Sequence, residues 1–375
     1  MIFRAQREKM ERCLAMAKSI TSAKPQLSIL TNVLLESKDD RIIVMASDLE
    51  VGLYSSFPAT IEQEGSTTIN VSKLLGAIAQ LPNEEIHAEV NQNNDFKIRS
   101  ANTKIRAQYI LKGLGRENFP PFPNIDPAYP RFEMAQSTLK EMIKKTIFSI
   151  STEASRQNLN GVFFETQPDT AMLRLTATDG RRLARIERPG IFPTPVEMRM
   201  IVPQKVLTEL THSLADEGLV TITFSDSQVF FMFNDLIYAS NVIASEFPNC
   251  NQVIPKKQDK SLKVEREAFT SALNRSSLLT DEKQNNQVRF LFSPEHAVIS
   301  VNNADAGSYR DEINIEYEGE EIEIAFNVKY LKDYLKELTA DTLKIELSTS
   351  LSPATLLVED DGNYISVIMP MKLNA

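Results

Sequence analysis

The sequence predicts an α+β protein built from three similar domains, and three observations predict it. A charged amphipathic helix, an apolar strand pair, a second short helix and further alternating strands recur at a spacing of about a third of the 375-residue chain. Short strings return at matching places. Phe122-Pro123-Asn124 reappears as Phe247-Pro248-Asn249, Ala46-Ser47-Asp48 as Ala177-Thr178-Asp179 and as Asn303-Ala304-Asp305, and the stretch from Ile69 to Leu75 as Ile201 to Leu207 and Ala325 to Leu331. Proline-rich connectors, Phe119 to Pro123 and Phe247 to Pro255, close the first two repeats, because proline interrupts both helix and ladder. The domains are placed at 1–128, 129–255 and 256–375.

Each element has a local reason. From Glu8 to Ser19, Met10, Leu14 and Ala17 fall at helical spacing, with Arg7, Lys9, Arg12 and Lys18 elsewhere on the surface. Ser137 to Ile150 repeats the pattern with Leu139, Ile143 and Ile147, and Arg266 to Leu279 supplies the third helix. Apolar strand pairs follow: Asn32 to Glu36 with Arg41 to Ala46, Gly161 to Glu165 with Met172 to Thr176, and Val288 to Phe292 with Ala297 to Val301. The second helices, Ser72 to Gln80, Pro203 to Ser213 and Asn327 to Leu338, open on residues that favour helix starts.

Composition narrows the function classes. The net charge of −9 argues against a uniformly basic nucleic-acid binder, so any nucleic-acid contact needs local basic patches. Cys13 and Cys250 lie in different repeats without metal-ligand spacing, which predicts neither a disulfide framework nor structural zinc and fits a reducing cytoplasm. The N-terminus has no apolar signal core and no run is long enough to cross a bilayer, so a soluble, unprocessed chain without membrane contact is expected. His87, His212 and His296 occupy non-equivalent places, away from any catalytic-looking cluster, and read as surface or packing residues. No phosphate loop or dinucleotide fingerprint is present. Asp39-Asp40 and Asp360-Asp361 read as solvated hairpin tips. No cofactor and no catalytic residue is expected; a multidomain hydrolase would need clustered titratable groups that the chain lacks.

At Thr176 to Ala184, which contains Thr178-Asp179-Gly180-Arg181-Arg182-Leu183, and at Val367 to Leu373, the sequence resembles the DNA polymerase III beta subunit family, the bacterial replicative sliding clamps. Leu159-Asn160-Gly161, Phe247-Pro248-Asn249 and Phe326-Asn327-Val328 with Tyr330 extend the likeness over the whole chain. The resemblance implies a clamp fold, three domains each with two helices on small antiparallel sheets, and a head-to-tail homodimer closed into a ring. A heterologous interface closes when its rotation divides a full turn, so three similar units can supply half a pseudo-sixfold ring.

The predicted helices carry about twice as many Lys and Arg as Asp and Glu in an acidic chain, which suits a basic lining around duplex DNA. Lys9, Arg12, Lys140, Lys144, Lys145, Arg275 and Lys332 are candidates for diffuse phosphate steering, with a merely solvated helix face as the alternative for each. Lys24 matches a loop position that contacts DNA in the family. Gln157 and Asn158 stand where related clamps can have tyrosines, and Arg181 where some have histidine.

The resemblance also implies a groove in which polymerases, the clamp-loader ATPase complex and repair proteins dock short linear motifs. Its positions here are Arg156, Leu159, Thr178, Gly180, Arg181, Arg182, Leu183, Pro248, Val253, Asn327, Tyr330, Pro353, Thr355, Ile368, Met369, Pro370, Met371 and Lys372. Leu159, Leu183, Val253, Ile368 and Met369 suit an apolar slot for leucine or aromatic anchors. Read without the resemblance, Asp179-Gly180 is a hairpin turn and the methionines fill a core. The ring joint is expected to pair Lys73, Ile105 and Ala107 with Arg275, Leu278 and Leu279 of a second copy. The function implied is a non-enzymatic processivity factor that encircles duplex DNA and tethers the polymerase III core. The alternative is a monomeric repeat scaffold that binds peptides without DNA.

Overall fold

The computed structural model describes residues 1–21, 27–102, 104, 107–281 and 286–373. Six α-helices lie among the described residues: α1 Arg7–Ile20, α2 Val71–Ala79, α3 Gln136–Ile147, α4 Gln204–Ser213, α5 Arg266–Ser276 and α6 Val328–Lys336. They fall where the periodicity places them, two per repeat, with ends shifted by a few residues. The stretch predicted as the tail of the third helix is a separate 3-10 turn, Ser277–Leu279. Asn70 and Asn327 cap α2 and α6 by accepting from the backbone amides of Lys73 and Lys329.

The chain forms two compact units. The first contains Met1–Ser137, Ile191–Thr194 and Lys205–Val242, and the second Thr138–Gly190, Pro195–Gln204 and Ile243–Ala375. In the first unit, α1 buries Met10, Cys13, Leu14, Ala17 and Ile20, and packs on α2 and on the strands Arg41–Ser47 and Val51–Pro58. All of its strands join one antiparallel sheet of thirteen. Four of those thirteen come from the middle repeat, through the register Ile237 to Tyr54, Tyr238 to Leu53 and Ala239 to Gly52.

The second unit holds sheets of nine and four strands. Here the middle repeat's hairpin, Met172–Thr178 with Arg182–Pro189, pairs with the C-terminal strand Tyr364–Ile368. The four-stranded sheet packs Phe290, Phe292 and Phe326 with Phe269 of α5. The small sheets expected of each repeat are thus joined edge to edge, and the middle repeat contributes strands to both units.

One repeat echo is displaced. Asp48 accepts from the amides of Glu50 and Val51, and Asp179 from those of Arg181 and Arg182. In the third repeat Asn303, not Asp305, fills this role, accepting from the amides of Asp305 and Ala306. The shared feature is a side-chain oxygen closing the turn two and three residues ahead, which Asn and Asp supply equally well.

Candidate partner-binding cleft

Strand register builds the site. Thr178 lies opposite Leu183 across the hairpin, Leu183 opposite Val367, and Val367 opposite Thr355. Residues from sequence-distant strands therefore form one cross-strand row on one face. Leu183, Val367 and Cys250 make a small buried cluster with Phe247, Ile254 and Ile365 against it. Beside the row opens a cleft of about 330 Å³ lined by Leu159, Thr178, Gly180, Arg181, Arg182, Leu183, Pro248, Val253 and Met369, together with Asn158, Asn249, Cys250 and Val367. Val253 and Met369 remain 48% and 40% exposed, so the apolar wall is open to solvent. An apolar cleft of this size with a few polar groups at its edge has the character of a ligand site.

The hairpin tip is held firmly. Thr178 Oγ1 donates to the carbonyl of Arg182 at 2.6 Å and accepts from the Gly180 amide at 3.0 Å. Arg182 is buried, donates to Asp179 at 3.0 Å and Asp333 at 2.7 Å, and lies 4.4 Å from the centre of the Tyr330 ring. Arg156 donates to the Asp179 carbonyl at 3.0 Å. Gly180 has φ +85°, and an added Cβ would meet Arg156 Nη1 at 3.1 Å. Gly180→Ala is therefore expected to cost about 1–2 kcal/mol, read as a lower urea midpoint.

The other expected positions are distributed differently. Ile368 is a correction: it is fully buried, because side chains alternate along a strand and Val367 takes the face that lines the cleft. Thr355 belongs to the row but is buried. Asn327 caps α6, and the Pro353 carbonyl accepts from Gln258. Past Met369, whose amide donates to the Arg181 carbonyl at 2.8 Å, Pro370 leads to Met371, which donates to Ala325, while the Lys372 carbonyl accepts from Gln287. Sequence reasoning missed Val367 and Cys250, and with them Asn158 and Asn249. The alternation of the final strand and the Phe-Pro-Asn echo were the signals available for Val367, Cys250 and Asn249.

The first repeat has an equivalent row, Ser47 opposite Gly52 and Gly52 opposite Ala239. Its cleft is only about 100 Å³ and is lined by Phe119 to Pro123 of its own connector. Phe122 packs on Gly52 and meets Tyr54 edge to face with ring centres 5.8 Å apart. In the second repeat the matching Phe247 lies flat on Phe163 instead, at 4.8 Å. The small residues of the first row admit the chain's own aromatic, whereas the second cleft stays open.

Among the basic candidates, Lys9, Arg12 and Lys144 are exposed on α1 and α3, Lys140 is half-buried, and Lys332 donates to Ser277 at 3.0 Å. Lys145 is a correction. Its ammonium is buried, bonded to Glu141 at 2.6 Å and Asp361 at 3.5 Å, and unavailable to phosphate. Asp361 is correspondingly no solvated tip, since it also binds Arg188 through both oxygens. Arg275 is exposed but bonded to Asp311 and Tyr309. Of the joint residues, Lys73 and Ala107 are exposed, Leu278 is 81% exposed and Leu279 half-buried. Lys24 and Ile105 lie outside the described residues.

Among the described residues no cluster of three His, Cys, Asp or Glu side chains has metal-binding geometry, and no helix is long and apolar enough to cross a membrane. Cys13 and Cys250 are free and buried, and burial pushes both thiols up, away from nucleophilic character.

Three family models match the chain: the DNA polymerase III beta subunit N-terminal domain over residues 1–125, its central domain over 133–249 and its C-terminal domain over 251–372. Beta sliding clamps of Treponema pallidum and Pseudomonas putida are each 30% identical, the first with 96% and the second with 100% of both chains covered. The crystal structure of the Bacillus subtilis DNA polymerase sliding clamp superposes with a TM-score of 0.94 at 27% identity, covering all of both chains. A Bartonella birtlesii sliding clamp, solved bound to griselimycin, gives 0.92 at 28% identity over all of both chains.

Proposed function

This chain belongs to the DNA polymerase III beta subunit family and is a DNA sliding clamp; we propose that two copies close head to tail around duplex DNA and tether partners through the cleft beside Leu183 and Met369. The open apolar cleft carries the partner half of this reading. Leucine or aromatic anchors suit its walls, each fully buried side chain contributing about 1.5–3 kcal/mol. Met369 adapts to varied anchors because its side chain is unbranched and flexible. Arg156, Arg182 and Tyr330 position the hairpin, while Asn327, Pro353, Pro370, Met371 and Lys372 are kept as a proposed continuation of the binding surface. The occupants proposed are the polymerase III core, the clamp loader, and other polymerases and repair proteins carrying short motifs.

The DNA half rests on topology rather than affinity. Many tight phosphate contacts would strengthen binding through counterion release but resist translation, whereas a closed ring needs few. Lys9, Arg12, Lys140, Lys144 and Lys332 serve as diffuse steering charges, and Lys24 joins them by likeness. The joint pairs Lys73, Ile105 and Ala107 with Arg275, Leu278 and Leu279 of the second copy; the high exposure of Leu278 supports this. Domain limits near 128 and 255 belong to the same reading. The protein works without catalysis, in the cytoplasm, by raising the effective concentration of polymerase at the primer end.

The test is retention. Loaded on nicked circular duplex, the protein is expected to stay bound and to slip off once the circle is cut, while sizing as a dimer at micromolar concentration. Equal retention on circular and linear DNA, or a stable monomer, would favour a peptide-binding scaffold instead.

A further inference from the structure

A second cleft of about 260 Å³ opens next to the apolar one and is lined by charges of both signs, Glu165, Arg174, Arg185, Arg199 and Glu246. In the hairpin register, Thr176 lies opposite Arg185 and Arg185 opposite Ile365, which is the row two residues along the strands from Thr178, Leu183 and Val367. The two rows share a face and stand ~7 Å apart. Pro248, Asn249 and Cys250 line both clefts.

Most charge in the second cleft is already matched. Arg174 bonds Glu165 at 3.1 Å and Glu187 at 2.7 Å. Arg199 bonds Glu165 at 2.6 Å and lies over the Phe163 ring. Two charges remain, Arg185 and Glu246. Glu246 is exposed at the rim, where water solvates it. Arg185 is half-buried: its Nε is buried without a partner and its Nη1 donates to the Asn251 side-chain oxygen at 2.9 Å. Among the described residues no carboxylate forms an ion pair with it. Burial most of all, and then the neighbouring Arg174, push its pKa down against the opposing pull of Glu187 and Glu165, neither of which bonds to it. Such a group favours an anion that can accept in the plane of its fork.

We infer that Arg185 is an acid-reading subsite: it takes the side-chain carboxylate of an aspartate or glutamate about two residues from the apolar anchor of the peptide docked in the first cleft. This rests on the reading of that cleft as a peptide site, and it adds charge selectivity that the apolar walls cannot supply.

The experiment uses C-terminally amidated, fluorescently labelled peptides that share a leucine–phenylalanine anchor and carry either Glu or Gln two positions before or after it. Affinities are measured by anisotropy against the full-length protein and its Arg185→Gln, Arg185→Lys and Glu246→Gln variants. On the unaltered protein one of the Glu peptides is expected to bind about tenfold more tightly than its Gln twin. That preference shrinks with added salt. Arg185→Gln removes it while the Gln peptides bind as before, Arg185→Lys keeps part of it, and Glu246→Gln enlarges it. Equal binding of Glu and Gln peptides to the unaltered protein, or a preference that survives Arg185→Gln, overturns the inference and leaves the peptide cleft standing. Failure of all the peptides to bind the unaltered protein overturns the cleft reading, and this inference with it.

Discussion

Deleting Met369 to Ala375 is expected to weaken binding of an anchor peptide about thirty- to hundredfold while leaving the dimer intact. The deletion removes the half-exposed Met369 wall of the cleft, a side chain whose contacts are worth about 1.5–3 kcal/mol when covered by a ligand. It also removes the Met369 amide bond to the Arg181 carbonyl and the Met371 bond to Ala325, which hold the hairpin tip and the chain end in place. Val367 and Ile368, which pair with Leu183 and Arg182, are kept, so the sheet retains its C-terminal strand. Anisotropy with labelled peptide gives the affinity and sizing gives the dimer. Unchanged affinity would show that partners dock elsewhere.

Asp361→Ala is expected to destabilise the second unit by about 3 kcal/mol in denaturant titrations, the scale for removing one member of a buried ionic network. Asp361 binds Arg188 through both oxygens, at 3.0 and 2.5 Å, and Lys145 at 3.5 Å. Glu141 binds the same two cations at 3.0 and 2.6 Å. Tyr364 caps the cluster, its hydroxyl donating to the Lys145 carbonyl at 3.2 Å while its ring lies under the ammonium. Without Asp361 two largely buried cations face one carboxylate.

The pH dependence has a definite sign. Burial raises the Asp361 and Glu141 carboxyls, but their bonds to Arg188 and Lys145 outweigh it and hold both below their ordinary values of 3.8 and 4.5. Lowered folded values mean the stabilisation is complete above the ordinary carboxylate range and is lost as pH falls through the lowered ones. Acid titration of the Asp361→Ala protein should therefore show a shallower loss of stability below pH ~4. An unfolding curve unchanged from the original protein, or an equally steep acid loss, would contradict the network's role.

Much of the architecture was legible because it is local. Helical spacing of Met10, Leu14 and Ala17, asparagine caps, proline connectors and turn-closing Asp residues are all short-range effects, so the six helices and the hairpins could be placed from periodicity. The cleft was legible in part. Thr178 to Leu183 and Met369 could be named through the family resemblance rather than through local pattern. Ile368 and Val367 were exchanged, since a strand's two faces differ by one residue and only the pairing partner decides which is inward. Lys145 looked like its surface neighbours Lys140 and Lys144, because nothing near it in sequence reveals that Asp361 and Arg188 meet its ammonium.

By itself the sequence determined three repeats, their helices and strands, the absence of any recognisable catalytic motif, and the family likeness. Tertiary structure decided how the repeats share sheets. The middle repeat pairs one of its edges with Val51–Pro58 and another with Tyr364–Ile368, so the compact units cut across the sequence repeats. It also decided that Phe122 fills its own cleft while Phe247 leaves the second one open. The physical reason is common to both. Hydrogen-bonded edges and aromatic contacts join residues far apart along the chain, and the choice among partners depends on the shape of the whole neighbourhood rather than on local pattern.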